Sequence, residues 1–303
     1  MKNQRVFILG GTGMLGHKLF QILRARFPET ICTTRRDVRE DPFDRVELLQ
    51  GDDVVSGIDV TEFDQLDEVI ANHRPDYVIN CVGIIKQRHA AKADIPSITV
   101  NSLLPHRLAA TVGAWGGRVI HFSTDCVFSG KRGGYTEEDD SDAEDLYGKS
   151  KFLGEVKTDN ALTLRTSIIG RELVEHRSLL DWFRSQNHRT VKGFRRVIYA
   201  GVTTNQMAEV VTGILQRDAP LSGLYQIVSD PISKYDLLCL LRDAYQLDIE
   251  IIPDDAFACD RSMKGDKFSA VTGYTSPPWP ELVKNLADDP TPYGQWITAK
   301  NDT

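Results

Sequence analysis

Tyr147 and Lys151 are the two residues of this sequence whose types and spacing most directly suggest chemistry. They are four positions apart, and the apolar residues of 152–156 continue their segment at helical spacing. The sequence therefore predicts a helix with both side chains on one face. An ammonium group within a few ångströms lowers the pKa of a phenol by roughly 1–3 units, so such a tyrosine can exchange a proton with a carbinol oxygen. The alternative is a surface helix with an incidental lysine.

The strand that precedes this helix must bring other polar groups to it. Residues 118–122 predict a strand, and Ser123 and Thr124 follow its carboxyl end. Ligands of open α/β sheets bind outside the carboxyl ends of the strands. We therefore expect the hydroxyl of Ser123 or Thr124 to bind a carbonyl group beside Tyr147.

A glycine-rich turn follows the first predicted strand, residues 5–9. Its spacing, Gly10-x-x-Gly13-x-x-Gly16, is a variant of the dinucleotide-binding pattern, and apolar residues at helical spacing come next. Such a turn lets the backbone approach a pyrophosphate that faces the N-terminus of the following helix. The predicted cofactor contacts also include the residues between the glycines, which are Thr12, Met14 and Leu15. The alternative is a glycine-rich turn without a ligand.

Two arginines follow the second predicted strand, residues 30–34. In dinucleotide-binding folds an acidic residue near this point holds the ribose of NAD, whereas an arginine accommodates the 2′-phosphate of NADP. Arg35 and Arg36 therefore favour NADPH and NADP⁺. Asp37 follows them closely, so the sequence does not exclude NADH. The alternative is a basic surface turn.

Further cofactor contacts are expected after the next two predicted strands. Asp59 and Val60 end a short predicted strand, 57–60, and Asp59 could accept a hydrogen bond from the adenine amino group. A role for Asp59 as a turn or N-cap carboxylate is equally consistent with its position. Val82 and Gly83 open the loop after a buried-looking strand, where their backbone could pass close to a ribose.

Composition limits the class of protein. The chain has 303 residues, 41% hydrophobic and 26% charged, with a net charge of −7. This charge argues against a general nucleic-acid binder, and no apolar run approaches the roughly 20 residues that span a bilayer. The five cysteines are scattered and show no zinc spacing. We expect a reduced, cytoplasmic protein with no metal site.

Three motifs in this order resemble those of the extended short-chain dehydrogenase/reductases. They are the glycine turn of 10–16, the segment Ser123-Thr124-Asp125-Cys126-Val127-Phe128, and Tyr147-Gly148-Lys149-Ser150-Lys151. The pattern Ser-Thr-Asp-x-Val-Phe-x-Gly narrows the resemblance to the dTDP-4-dehydrorhamnose reductase-like branch. The resemblance is clear from Arg5 to about Gly170 and thin beyond.

The resemblance implies an α/β fold, a doubly wound parallel sheet (Rossmann) with a smaller C-terminal substrate domain. We expect residues 1–170 to form the NADP-binding domain and residues 171–303 to be mainly substrate-binding. Strand and helix alternation becomes irregular after residue 170, and part of 195–230 is expected to return to the first domain.

The resemblance also implies an activity and a set of roles. The activity is reduction of the C4 keto group of a nucleotide-diphosphate 4-keto-6-deoxy sugar, in deoxysugar or surface-polysaccharide precursor synthesis. Thr124 would polarise the carbonyl, Tyr147 would donate the proton, and Lys151 would bind the nicotinamide ribose and lower the pKa of Tyr147. Asp125 and Cys126 would contact the substrate beside Thr124.

The substrate diphosphate should require cations. Arg195 and Arg261 are the candidates in the C-terminal half, because the planar guanidinium binds two phosphate oxygens at once. Arg261 is preferred, since the tail after it looks irregular and could fold over a cleft. Lys86 belongs to a basic loop, 84–96, that could also face an anionic ligand. Ordinary surface positions are the alternative for all three.

Departures from the family pattern keep other readings open. Lys18 stands where related reductases carry a metal-binding glutamate of their dimer contact, which leaves a homodimer open without a metal. Ile168 replaces a tryptophan that lies over the sugar, and Cys126 argues against dehydration. The alternatives are a nucleotide-sugar 4-epimerase with retained NAD and a non-catalytic NADP-binding regulatory subunit.

Overall fold

The computed structural model describes residues 4–85, 93–174 and 178–296. Within these ranges the strands are β1 (Val6–Leu9), β2 (Thr30–Thr33), β3 (Val54–Val55), β4 (Tyr77–Asn80), β5 (Arg118–Thr124), β6 (Ala161–Thr166), β7 (Ile168–Ile169), β8 (Thr190–Phe194), β9 (Val197–Tyr199), β10 (Val202–Thr203), β11 (Gly223–Gln226), β12 (Ile232–Ser233), β13 (Glu250–Asp254) and β14 (Cys259–Asp260). The helices are α1 (Met14–Arg26), α2 (Phe63–His73), α3 (Asp94–Ser97), α4 (Leu104–Gly113), α5 (Leu146–Leu153), α6 (Leu179–Arg184), α7 (Thr204–Leu215), α8 (Lys234–Ala244), α9 (Asp266–Thr272), α10 (Trp279–Ala287) and α11 (Tyr293–Trp296).

Seven of these strands form one parallel sheet in the order β3-β2-β1-β4-β5-β6-β11. The inner strands β1 and β4 are buried throughout, as expected for apolar runs covered by helices on both faces. The strand order reverses at β1, which places the switch point between β1 and β4. The predicted doubly wound α/β fold is confirmed.

Alternate residues of the central strands enter two separate cores. Ile8 packs with Leu19 and Leu23 of α1, whereas Phe7 packs with Leu104 and Leu108 of α4. This is the period of two expected when both faces of a strand are covered. Helices α1 and α7 cover one face and α2 and α4 cover the other.

The main sheet also draws on the second half of the chain. Strand β11 pairs in parallel with β6, with Gln226 beside Arg165. A third core, which includes Leu237, Leu241 and Leu282, joins α6, α8 and α10 to the paired strands β8 and β13. Helix α8 therefore belongs to a group of elements with its own apolar interior.

Two local predictions differ from the structure. The strand predicted at 57–60 is absent, and the third strand of the sheet lies earlier, at Val54–Val55. The tail is not irregular, because α10 and α11 form within it; Pro280 is tolerated there since it lies in the first turn of α10. The two tryptophans of this tail, Trp279 and Trp296, are buried.

One helical region shapes the surroundings of the site. Helices α3 and α4 are continuous through a π-helical stretch, Ile98–Leu103. Within it Asn101 donates to the carbonyl of Ile84 (3.0 Å) and to Ser150 Oγ (3.1 Å). Asn101 therefore joins the loop after β4 to α5. None of the helices described is long and apolar enough to cross a membrane.

Candidate active site at the carboxyl edge of the sheet

Thr124 ends β5 at the carboxyl edge of the sheet and caps the short helical turn that follows. Its Oγ1 accepts a hydrogen bond from the Cys126 backbone N–H and donates one to Asp125 Oδ1, both at 3.1 Å. Ser123 points to the opposite face, because neighbouring residues of a strand alternate. Its hydroxyl donates to Glu155 Oε1 at 2.7 Å. Of the two predicted hydroxyl groups, only that of Thr124 lies on the face of β5 that carries the helical turn of residues 125–127.

Helix α5 brings Tyr147 to Thr124. Asp145 caps the helix by accepting a hydrogen bond from the Gly148 N–H at 2.8 Å. A Cβ atom at Gly148 would lie 2.2 Å from the Cys126 carbonyl oxygen, so only glycine lets the helix approach this closely. As a result the Thr124 hydroxyl lies near the Tyr147 phenol and acts to lower its pKa.

The pKa of Tyr147 is raised above its ordinary value, mainly by burial and next by the neighbouring Cys126. The predicted lowering of this pKa by Lys151 is therefore wrong for this structure. The physical reason is the direction of the lysine side chain. Its Nζ donates to the Phe122 carbonyl oxygen at 2.5 Å and lies 3.4 Å from His121 Nε2.

Lys151 itself is buried against β5. Burial lowers the pKa of its ammonium group to about 8, and the charge of Glu155 opposes this only in part. His121 is also fully buried, and burial followed by the charge of Lys151 holds its pKa well below the usual range. The neutral imidazole of His121, on β5, therefore faces the ammonium group of Lys151, which lies on the same helix as Tyr147.

The glycine turn has the shape that a dinucleotide requires. Gly10 has a φ of +87°, and a Cβ atom at Gly16 would lie 2.0 Å from the Gly10 carbonyl oxygen. Within the described residues no side chain caps α1 at Gly13, so its first N–H groups are available to a phosphate. Val82 lies against the turn, since its Cγ2 would be 2.9 Å from a Cβ atom at Gly10. These residues fit a pyrophosphate.

The other predicted cofactor residues surround this turn or follow β2. Thr12, Met14 and Leu15 lie in the turn and the start of α1, and Gly83 and Val60 are half-buried beside the strand ends. Arg35 and Arg36 are exposed just after β2. Asp59 Oδ1 accepts hydrogen bonds from the N–H and hydroxyl of Thr61, at 3.0 and 2.8 Å. Those bonds, and then the charge of Arg35, lower the pKa of Asp59.

Arg261 is the predicted substrate cation that reaches the site. Its Nε donates to the Phe128 carbonyl oxygen at 2.7 Å, just beyond the turn of residues 125–127. Burial raises the pKa of Asp125, and the charge of Arg261 is the largest opposing influence. Arg261 therefore lies close to Asp125.

Arg195 and Lys86 have different surroundings. The Arg195 guanidinium forms a forked ion pair with Asp255, including a 2.9 Å bond from Nε, and both side chains are about half exposed. Its position matches the surface alternative. Lys86 lies outside the described residues.

Within the described ranges, no group of three or more histidine, cysteine, aspartate or glutamate side chains could hold a metal ion. Lys18 instead forms a buried ion pair with Asp289, with Nζ and Oδ2 2.6 Å apart.

The family model described as the RmlD substrate binding domain matches residues 4–290. The chain belongs to this family.

Its relatives carry two kinds of name. The dTDP-4-keto-6-deoxy-D-glucose reductase of Streptomyces niveus is 28% identical over 152 residues, 50% of this chain. The chain spans about half of that relative, 46% of its length. The methionine adenosyltransferase 2 subunit beta of Pongo abelii is 28% identical over 264 residues, 81% of this chain and 73% of the relative.

A solved structure supports the fold of this RmlD-family chain. The dTDP-4-dehydrorhamnose reductase of Bacillus anthracis, in complex with NADP, matches with a TM-score of 0.76 and 18% identity, covering 94% of this chain and 98% of that one.

Sequence reasoning missed Lys234 in this RmlD-family site. Its pKa is lowered by burial, while the nearby charges of Asp125 and Cys259 act in the opposite direction. Lys234 follows β12, and Arg261 follows β14; both strands pair with β9. No local signal marks Lys234, because a three-stranded sheet from separate parts of the chain brings it near enough to Asp125 for their charges to interact.

Proposed function

We propose that this protein is an NADPH-dependent reductase of the C4 keto group of a nucleotide-diphosphate 4-keto-6-deoxy sugar, in deoxysugar or surface-polysaccharide precursor synthesis. The observation that carries the proposal is the adjacency of the Thr124 hydroxyl and the Tyr147 phenol at the carboxyl edge of the sheet. One hydroxyl can hold a carbonyl oxygen while the other protonates it.

The protonation state of Tyr147 suits reduction. Its raised pKa keeps the phenol protonated at neutral pH, which is the form that donates a proton. Bound NADPH would supply the hydride. Thr124 would orient the carbonyl oxygen, and Tyr147 would transfer its proton to that oxygen as negative charge develops.

Lys151 would hold the nicotinamide ribose in this proposal. In the structure its ammonium group has one short bond, to Phe122, and otherwise faces the neutral His121. Ribose hydroxyls are acceptors that would give this buried cation further hydrogen bonds. The glycine turn would hold the pyrophosphate, and Arg35 and Arg36 would favour a 2′-phosphate.

Two cations beside Asp125 support an anionic substrate. Lys234 and Arg261 both interact with Asp125 electrostatically, so two cations lie near the turn that follows Thr124. A nucleotide diphosphate carries negative charges that these two side chains can balance. Asp125 would then orient the sugar or the diphosphate indirectly, through the Lys234 and Arg261 side chains with which it interacts.

A screen of 4-keto nucleotide-sugars with NADPH, followed by absorbance of the reduced nicotinamide, tests the proposal. We expect the wild-type protein to oxidise NADPH with at least one of these substrates. The Tyr147→Phe variant should not oxidise NADPH with the same substrate. Turnover by the Tyr147→Phe variant at the wild-type rate would contradict the assigned mechanism. Failure of every 4-keto sugar would contradict the reductase function itself.

A second candidate is a non-catalytic NADP-binding subunit of another enzyme. The observation that favours it is the match to methionine adenosyltransferase 2 subunit beta, which covers more of the chain than the Streptomyces reductase does. Retained NADPH binding without turnover, together with co-purification of a second enzyme, would support it. Turnover of any 4-keto sugar at an ordinary enzymatic rate would exclude it.

A further inference from the structure

The first turn of α1 is connected to the end of the described chain by a buried hydrogen-bond chain. His17, which is 0% exposed, has Nδ1 at 2.8 Å from the Gly13 carbonyl oxygen. Its Nε2 lies 2.7 Å from the Tyr293 hydroxyl, across 276 positions of sequence. A single imidazole thus links the glycine turn to α11.

The direction of this chain follows from the chemistry of its ends. The Gly13 carbonyl oxygen can only accept, so the proton of the ring lies on Nδ1. Burial lowers the pKa of His17 to about 4, so the ring is neutral and Nε2 is an acceptor. The Tyr293 hydroxyl must therefore donate to His17, and His17 to Gly13.

The next residue of α1 makes a second connection to the same segment. Lys18 Nζ lies 2.6 Å from Asp289 Oδ2 and donates to Thr291 Oγ1 at 2.9 Å. Both charged side chains of this pair are almost completely buried. We call residues 289–296 the C-terminal strap.

The strap is itself held in place by groups outside α1. Asn205 of α7 donates to Asp289 Oδ2 at 2.8 Å, and the Arg171 guanidinium lies 4.6 Å from the centre of the Tyr293 ring. Trp296 packs edge-on against the same ring. The pairing of these buried polar groups favours one position of the strap against α1.

We propose that the C-terminal strap positions the glycine turn, so that docking of the strap and binding of a dinucleotide are energetically coupled. Gly13 is the N-cap of α1, and its carbonyl oxygen accepts both the His17 backbone N–H (3.1 Å) and the ring N–H. This pair of bonds orients the peptide planes whose N–H groups would face the pyrophosphate. Tyr293 is a positioning residue that acts through His17. The inference rests on the proposed function only in taking the ligand of the glycine turn to be a dinucleotide.

Coupling must act in both directions. If the docked strap favours dinucleotide binding, then a bound dinucleotide stabilises the docked strap by the same factor. NADPH should therefore slow amide hydrogen exchange in residues 290–296 as well as in the glycine turn.

The test compares Tyr293→Phe with Tyr245→Phe. Both remove one tyrosine hydroxyl that donates a hydrogen bond, but Tyr245 donates to the Leu286 carbonyl oxygen (3.1 Å), whereas Tyr293 donates to His17. NADPH fluorescence gives the dissociation constant, and thermal unfolding is recorded for each variant. We expect Tyr293→Phe to weaken NADPH about 5- to 100-fold, within the usual range of coupling, and Tyr245→Phe to leave the affinity unchanged.

The possible results separate this proposal from the proposed function. Equal NADPH affinity in wild type and Tyr293→Phe, or equal loss in both tyrosine variants, would overturn the coupling. Exchange in 290–296 that NADPH does not slow would overturn it as well. Wild-type protein that binds NADPH but reduces no 4-keto sugar would contradict only the proposed function. Wild-type protein that binds neither NADPH nor NADH would overturn both.

Discussion

Arg165 and Glu155 form a forked ion pair in the interior, with both hydrogen bonds at 2.7 Å and the two side chains only 2% and 1% exposed. Ser123 donates to the same carboxylate. Glu155 follows α5, whereas Arg165 lies on β6 and Ser123 on β5. Glu155 therefore connects the end of the helix that carries Tyr147 to β6 through Arg165, and to the strand that carries Thr124 through Ser123.

Removal of one partner of this pair should cost much stability. Glu155→Ala leaves a buried guanidinium without its carboxylate, and we expect the free energy of unfolding to fall by about 3–5 kcal/mol. Glu209→Ala is the matched control, because Glu209 forms a similar forked pair with Arg26 that is largely exposed. Urea unfolding should show a loss of about 1 kcal/mol or less there. Equal losses would mean that burial does not determine the effect.

Tyr147→Phe should abolish reduction while leaving cofactor binding almost intact. The phenol acts on the developing alkoxide, so its loss should lower kcat, by about 10²–10⁴-fold. Steady-state kinetics and NADPH titration measure the two effects separately. A variant that retains most of its kcat would remove Tyr147 from the mechanism.

Arg35→Ala should weaken NADPH more than NADH. A charge-assisted phosphate contact contributes about 1.5–3 kcal/mol, or roughly 10- to 100-fold in the dissociation constant. Arg39→Ala, at another exposed arginine of the same turn, is the control and should change neither constant. A similar loss for both cofactors in Arg35→Ala would mean that Arg35 does not bind a 2′-phosphate.

Arg261→Ala should raise the KM for the nucleotide-sugar at least several-fold with little change in NADPH affinity. The reason is its place beside Asp125 and the Phe128 carbonyl. Arg195→Ala is the matched control, since that side chain already pairs with Asp255 at the surface. A rise confined to Arg195→Ala would transfer the diphosphate site to Arg195.

The buried ammonium group of Lys151 should make stability depend on pH. Burial lowers its pKa to about 8 in the folded protein, against an ordinary value of 10.5 in the unfolded chain. Between these values the unfolded chain binds more protons, so this group makes the free energy of unfolding rise with pH. Lys151→Met should therefore stabilise the protein by about 3 kcal/mol at pH 7, and the gain should disappear between about pH 8 and about pH 10.5. A gain that does not vary with pH, measured by urea unfolding, would contradict a buried charge.

The sequence by itself determined the features that depend on short-range backbone periodicity. Gly10, Gly13 and Gly16 follow a strand and precede a helix, and Tyr147 and Lys151 lie four apart on another helix. These patterns were sufficient for the α/β fold and for the end of the sheet at which a ligand would bind. Spacing along one element limits which side chains can be neighbours, so such predictions do not need the rest of the chain.

Only the tertiary structure decided which groups meet and in which direction their side chains point. Ser123 and Thr124 were equivalent in sequence, but the orientation of β5 directs one to Glu155 and the other to Tyr147. The direction of Lys151 towards Phe122 depends on burial, which no local spacing specifies. Contacts such as Tyr293 with His17 join residues far apart in the chain, because packing of whole elements, and not their periodicity, brings them together.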